Sequence, residues 1–297
     1  MATARKQLDK DNDGVWISGV YVDRRNYETV EAAMRVSASS RPTNVLVVGP
    51  SGYGKTSLAQ AAAAVHGLKY LRMNCAQVRD PEEWFGYREA RNGSTEFVKS
   101  RLIEVVQRGD AVVCLDEFNR VEPWLSNTLY PLLDHDRATV IHNEQIKVGP
   151  NTTFFATVNL GYQYVGAFTL DAAIVNRMDA TIKVAALPKA VEVKLLRART
   201  GCLVKDAEAV VKVVHKARAL CESARIMADM STRTSLKVAL MMAAGKLSLA
   251  DAFTAVVINV LQPDDAKRVI DTVSDMLVQK EEVPSGEKSE TDSAKLG

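Results

Sequence analysis

Residues Gly49-Pro50-Ser51-Gly52-Tyr53-Gly54-Lys55-Thr56 join three glycines to a lysine and a hydroxyl in the spacing G-x-x-x-x-G-K-[ST]. That spacing makes a phosphate-binding loop. Glycines let the backbone wrap closely around phosphates, and successive N–H groups at a helix start supply partial positive charge. Lys55 then reaches the β- and γ-phosphates of a nucleoside triphosphate, and Thr56 ligates Mg²⁺. The expected binding set is Gly49, Pro50, Ser51, Gly52, Tyr53, Gly54, Lys55, Thr56 and Ser57.

Such a loop needs a carboxylate to complete the metal site and a group to order water. Asp116 and Glu117 end the apolar run AVVCL, at the strand edge where open α/β sheets bind ligands. Asp116 is expected to complete the Mg²⁺ site and Glu117 to polarise the attacking water. Asn159 ends a second such run, TTFFATV, where its amide could hold that water or sense the γ-phosphate.

These residues need strands to carry them. Asn44–Val48 is a short β-branched run typical of a buried parallel strand, and the helix-favouring SLAQAAAAVHG follows the loop. Leu68–Met73, Ala111–Leu115, Thr152–Val158 and Ala180–Val184 read as further strands, and Asn26–Ser37 as a helix. Strands alternating with helices predict an α/β fold: a three-layer P-loop core on a mostly parallel five-stranded sheet. After Pro188 only helical periodicity remains, over Lys189–Thr200, Asp206–Ser223, Ser231–Ala244, Leu249–Val260 and Pro263–Gln279. That predicts a small all-helical lid over 188–279, behind a core spanning 19–187. Residues 1–18 read as a flexible N-terminal segment and the polar stretch 280–297 as a disordered tail.

The composition bounds the partners. The 297 residues carry 38 Lys plus Arg against 36 Asp plus Glu, a net charge of +2, too balanced for a broad duplex-binding face. Cys75, Cys114, Cys202 and Cys221 form no CxxC pair and read as reduced core thiols. The histidines, His66, His135, His142 and His215, show no metal-ligand spacing, and Asp134-His135-Asp136 reads as a turn. No apolar stretch reaches the roughly 18 residues of a membrane span. A cytoplasmic protein is expected.

The order of these motifs resembles the AAA+ ATPases, in particular the MoxR group with its CbbQ/NorQ and CobS-like relatives. The resemblance runs from about Gly19 to Val260. GPSGYGKT is similar to Walker A, and VVCLDEFNR is similar to Walker B with its continuation, which includes Asn119 and Arg120. FFATVN resembles the strand leading to sensor 1, which makes Asn159 the sensor residue. LDAAIVNRMD resembles the stretch that carries the arginine finger and assigns Arg177. Ser231-Thr232-Arg233 resembles the sensor 2 signature and assigns Arg233. DPEEWFGYREARNGSTEF fits the helix-2 insertion, at about 80–97, and RATVIHNEQIKV the presensor hairpin, at about 137–149. Within the insertion, Trp84, Phe85 and Tyr87 either face a pore or pin the insert to the core. Arg120 is read equally as a structural ion pair or as a phosphate or interface residue.

The resemblance implies a homo-oligomeric, hexameric ring that hydrolyses ATP with Mg²⁺ to remodel or activate a protein client, with a von Willebrand factor A-like adaptor. ATP is favoured because no guanine-specificity motif follows Asn159. The catalytic set is then Lys55, Glu117, Asn159, Arg177 and Arg233, with Thr56 and Asp116 on the metal. The alternative is an ATP-driven nucleic-acid motor or restriction-type translocase, possible for a pore with a few basic residues but not favoured. A small-molecule kinase and a non-hydrolysing switch fit less of the motif series.

Overall fold

The computed structural model describes residues 6–91, 93–159, 168 and 171–277. The expected tail over 280–297 lies outside the described residues.

Five parallel strands form the central sheet. In chain order they are β4 (Thr43–Val48), β5 (Lys69–Asn74), β8 (Ala111–Asp116), β11 (Thr152–Val158) and β12 (Ala180–Lys183). Their spatial order is β12-β4-β11-β8-β5. Every residue of β4, β8 and β11 is buried, as the unbroken apolar runs require of strands covered on both faces.

Alternation along each strand sorts side chains between two cores. Val45, Val47, Val112, Cys114, Phe155 and Ile182 face helices α1 (Arg24–Ser39) and α2 (Lys55–Val65). Leu46, Val48, Val113, Leu115, Phe154, Ala156 and Val158 face the other way. Covering them are α3 (Pro81–Phe85), α4 (Arg101–Arg108), α5 (Pro123–Asn127) and α6 (Tyr130–Leu133). Ser100 caps α4 by accepting from Ile103 N at 3.2 Å, and the helix buries Leu102, Ile103, Val105 and Val106.

Two hairpins project from this side of the sheet. β6 (Gly86–Arg91) pairs with β7 (Ser94–Lys99), and β9 (Ala138–Ile141) pairs with β10 (Glu144–Lys147). The second turns on His142 and Asn143, both at positive φ, the geometry of a two-residue hairpin turn. Lys99 meets Glu144 at 2.8 Å and Phe97 stacks edge-on against His142, so the two hairpins touch. Trp84 and Phe85 are buried in the core, which resolves their role as pins, whereas Tyr87 is exposed. Truncating a fully buried Trp to Ala typically costs about 3–5 kcal/mol.

Within the segment expected to be flexible, residues 6–9 and 14–17 form strands. β1 (Lys6–Asp9), β2 (Gly14–Ile17) and β3 (Val20–Asp23) form an antiparallel sheet. Val15, Ile17 and Val22 pack into the core shared by α1 and α2. Trp16 Nε1 donates to Asp9 Oδ2 at 3.0 Å, and Lys194 Nζ reaches the same oxygen at 3.1 Å. Apolar burial and this ion pair, which links the sheet to the C-terminal helices, hold the segment.

Those helices are α8 (Lys189–Thr200), α9 (Val204–Ala224), α10 (Thr232–Gly245), α11 (Leu249–Val256) and α12 (Pro263–Leu277). They share their own core, from Leu196 to Val273. The helix expected over Leu249–Val260 stops at Val256 and gives way to a 3₁₀ turn over Ile258–Val260. Pro263 opens α12 two residues beyond Leu261, a position where proline's missing N–H costs nothing. Another ionic network ties this bundle together. Glu192, fully buried, accepts from His215 Nε2 at 2.7 Å and Ser235 Oγ at 2.5 Å, with Arg218 Nη2 at 3.5 Å. Burial alone would raise its carboxyl, but these partners hold it below the usual glutamate range.

Candidate nucleotide site

The loop over Gly49–Gly54 leaves β4 at its carboxyl end and turns into α2, whose first residue is Lys55. Gly52 and Gly54 stand at φ +80° and +88°, conformations that side chains resist. Space is equally tight at Gly52, where a Cβ would collide with the Cβ and Oγ of Ser231 at the start of α10. The helical bundle is therefore seated directly on the loop. Tyr53 adds a second contact, its ring lying 5.4 Å from the Arg218 guanidinium. Burial pushes its hydroxyl up to about 12.

Lys55 is buried, and its ammonium donates to Gly49 O (2.8 Å), Pro50 O (2.7 Å) and Asn159 Oδ1 (2.6 Å). Burial brings it down to about 8 against the pull of Asp116 and Glu117, and Arg233 adds to the lowering. Asn159 is buried at the end of β11, and its amide works at both ends. While its oxygen accepts from Lys55, its Nδ2 donates to Glu117 Oε1 at 3.2 Å. Asn119 clamps the Asn159 backbone, donating from Nδ2 to its carbonyl at 2.9 Å.

Asp116 ends β8 and Glu117 follows at φ +55°, a bend that turns the two carboxylates apart. Thr56 Oγ1 and Thr157 Oγ1 both donate to Asp116 Oδ1 at 2.6 Å, while Arg72 Nε donates to Oδ2 at 2.8 Å. Burial would raise the Asp116 carboxyl, yet these donors keep it below its ordinary value. Glu117 Oε2 lies 3.4 Å from Arg120 Nε, so Arg120 is an ion-pair partner here.

The cleft, about 550 Å³, is lined by Ser51–Ser57, Arg72, Asp116, Glu117, Asn159 and Arg233, with Gly19–Tyr21 from the N-terminal sheet. Of the residues expected in the catalytic and metal set, Arg177 alone stands outside this cleft. It caps α7 (Ala172–Asn176), and its carbonyl accepts from Asn44 Nδ2 at 2.6 Å, near the amino end of β4. The loop leaves the opposite end of that strand. With about 3.3 Å per residue, the five steps from Asn44 to Gly49 separate them by roughly 16 Å. The Arg177 guanidinium lies over Tyr130 at 4.6 Å and pairs with Asp134 at 2.9 Å.

Two contributors were not singled out from sequence. Arg72 sits on β5 without any motif around it. The N-terminal strands are four residues long, although the turn residues Asp11-Asn12-Asp13-Gly14 and Ser18-Gly19 between alternating Val15, Ile17, Val20 and Val22 carry a hairpin signal. Among the described residues no cluster of His, Cys, Asp or Glu could hold a metal on its own, and no helix is long and apolar enough to cross a membrane.

Comparison with known proteins bears on this geometry. The profile of the AAA domain (dynein-related subfamily) matches residues 44–178. "Putative chaperone BssE" of Thauera aromatica is 35% identical over 234 residues, 77% of this chain and 80% of that one. Among solved structures, the RuvB Holliday junction branch migration motor of Thermotoga maritima superposes with a TM-score of 0.50 at 14% identity. That match covers 85% of this chain and 70% of RuvB. NtrX from Brucella abortus, in complex with ADP, gives 0.51 at 17% identity over 83% of this chain and 60% of its own. The fold with its phosphate loop, the matched profile and a relative shared over most of both lengths place this chain in the AAA+ ATPases, with a domain of the dynein-related subfamily.

Proposed function

We propose that the protein is a Mg²⁺-dependent ATPase that works as a ring of identical subunits and remodels or activates a protein client, in the manner of the MoxR group. The observation that carries this reading is the chain of contacts from Lys55 through Asn159 to Glu117, with Arg177 held at the far end of β4.

The residues suit the nucleotide and its metal. Thr56 Oγ1 and Asp116 Oδ1 converge within 2.6 Å, an oxygen pair suited to a small hard cation that takes its remaining ligands from phosphates and water. Thr56 and Asp116 would hold Mg²⁺, which when bound neutralises charge on the phosphates. Lys55 has three chain acceptors to exchange for β- and γ-phosphate oxygens. Glu117 takes the proton of the attacking water, and Asn159 aims that carboxylate while linking it to the lysine. Arg233, beside Gly52 and in the cleft, answers phosphate charge from the lid.

Arg177 is too far along β4 to reach the phosphates of its own subunit. Its natural target is a neighbour's nucleotide, where such an arginine contributes about 10³–10⁵ in turnover in well-studied NTPases. A subunit is then incomplete alone, which is why oligomerisation belongs to the proposal. A client of protein nature is supported by the relationship to the chaperone-named relative. A von Willebrand factor A-like adaptor is the part of the reading that the resemblance to the MoxR group suggests.

Phosphate release measured against protein concentration, beside sedimentation with and without ATP, tests the core of the proposal. Turnover per subunit should rise with concentration as assemblies form. A protein that stays monomeric with ATP at all concentrations, or whose hydrolysis responds only to added DNA in a salt-sensitive way, would overturn it.

A further inference from the structure

Asp116 is the metal-side carboxylate of the cleft, and all of its acceptor capacity is already engaged by this chain. A carboxylate offers roughly four lone-pair directions. Oδ1 takes the hydroxyls of Thr56 and Thr157, each at 2.6 Å, and Oδ2 takes Arg72 Nε at 2.8 Å and Nη2 at 2.5 Å. The last two converge from one guanidinium on a single carboxylate oxygen, a charge-assisted contact that occupies both of its acceptor directions. The hydroxyls can serve as metal ligands themselves, but the guanidinium, which carries only donors, cannot. It cancels the carboxylate's charge and covers one oxygen.

We infer that Arg72 is a positioning residue that guards Asp116, admitting a divalent cation only together with nucleotide phosphates. The inference rests on the nucleotide-site reading above. A free cation approaching Asp116 meets a neutralised carboxylate and an adjacent positive charge. A nucleotide changes the balance, because its phosphates offer the guanidinium another anion within the same cleft. Arg72 lines that cleft beside Thr56, Glu117 and Arg233, and its side chain is half exposed, so it has room to turn.

Two binding measurements on the full chain test this, neither of which needs turnover. The first is Mn²⁺ titration of the nucleotide-free protein, read by the loss of the free-ion paramagnetic resonance signal. The second is titration with a fluorescent ADP in excess chelator. Arg72→Gln should bind Mn²⁺ about tenfold tighter than the parent and metal-free ADP about fivefold or more weakly. Adding Asp116→Asn should abolish the gain in Mn²⁺ affinity. Arg72→Lys, which keeps the charge but not the fork, should hold metal-free ADP within about threefold of the parent.

An Arg72→Gln protein that binds ADP as the parent does, or whose Mn²⁺ affinity is unchanged or weaker, overturns the inference while leaving the nucleotide site standing. A parent protein that binds no nucleotide overturns both. A merely structural loss would weaken both ligands together, so the opposed directions carry the test.

Discussion

The side-chain amide of Asn159 donates to Glu117 Oε1 at 3.2 Å. Its oxygen at the same time accepts from Lys55. One planar group therefore bridges the Lys55 ammonium and the Glu117 carboxylate.

Asn159→Ala is expected to lower kcat by about 10²-fold while changing nucleotide affinity much less, as loss of a positioned polar group does. Asn159→Asp should be at least as damaging, because a carboxylate there pairs with Lys55 and repels Glu117. Steady-state phosphate release beside fluorescent-nucleotide titration checks both. Equal losses in kcat and affinity would deny Asn159 its aiming role.

Arg177→Ala should abolish all but roughly a thousandth of turnover without loss of nucleotide binding. Mixing it with Glu117→Gln subunits should restore a measurable fraction, since each Arg177→Ala site can then meet an intact arginine from its neighbour. Neither variant alone is active, so any activity of the mixture reports action between subunits. A silent mixture that still co-assembles would contradict the assignment.

Gly52→Ala places a methyl group against Ser231 at a backbone angle that costs about 1 kcal/mol or more for any side chain. The lid must then lift from the loop, and nucleotide affinity is expected to fall at least about tenfold. Combining it with Ser231→Gly removes the colliding atoms and should recover part of the affinity, leaving the backbone term. Fluorescent-nucleotide titration of the single and double variants separates the two contributions.

The N-terminal sheet carries a pH signature. The Trp16 indole, working against burial and aided by Asn12 and Lys194, pulls Asp9 from its ordinary 3.8 to about 2. A depressed carboxyl contributes stability that is complete above the unfolded value and lost as pH falls through the folded one. Contact between the sheet and α8 should therefore weaken between about pH 4 and pH 2. Lys194 on α8 and Lys10 and Asp11 in the neighbouring turn are the charges that share the pocket around Asp9. Asp9→Asn should reproduce the weakening at neutral pH, seen as faster amide exchange in β1 and β2. Unchanged exchange would show that apolar burial alone holds the sheet.

Much of the fold could be read from the sequence because its signals are local. The runs NVLVV, AVVCL and TTFFATV are covered on both faces and stay apolar throughout, so the central strands stand out. The phosphate loop is legible because its glycines answer a backbone demand that recurs at fixed spacing. Arg72 is not, because an isolated arginine on a strand looks the same whether it faces water or a carboxylate 44 residues away. The N-terminal sheet was hidden by its short strands and by polar residues such as Asp9, whose partner Lys194 lies 185 positions on. Asn44 escaped notice for the opposite reason. It stands within an apolar strand, where its amide bonds to Leu133 and Arg177 carbonyls that only the folded chain brings near.

The opposed ends of β4 also have an arithmetic consequence. If each subunit presents its loop to one neighbour and its arginine to the other, contacts run head to tail and the two faces differ. An open row of n subunits then has one loop without an arginine and one arginine without a loop, so n − 1 sites can fire. A closed circle has no such end defects. Turnover per subunit thus counts gaps, and a cracked ring would announce itself as a missing fraction of activity before any change in size could be seen.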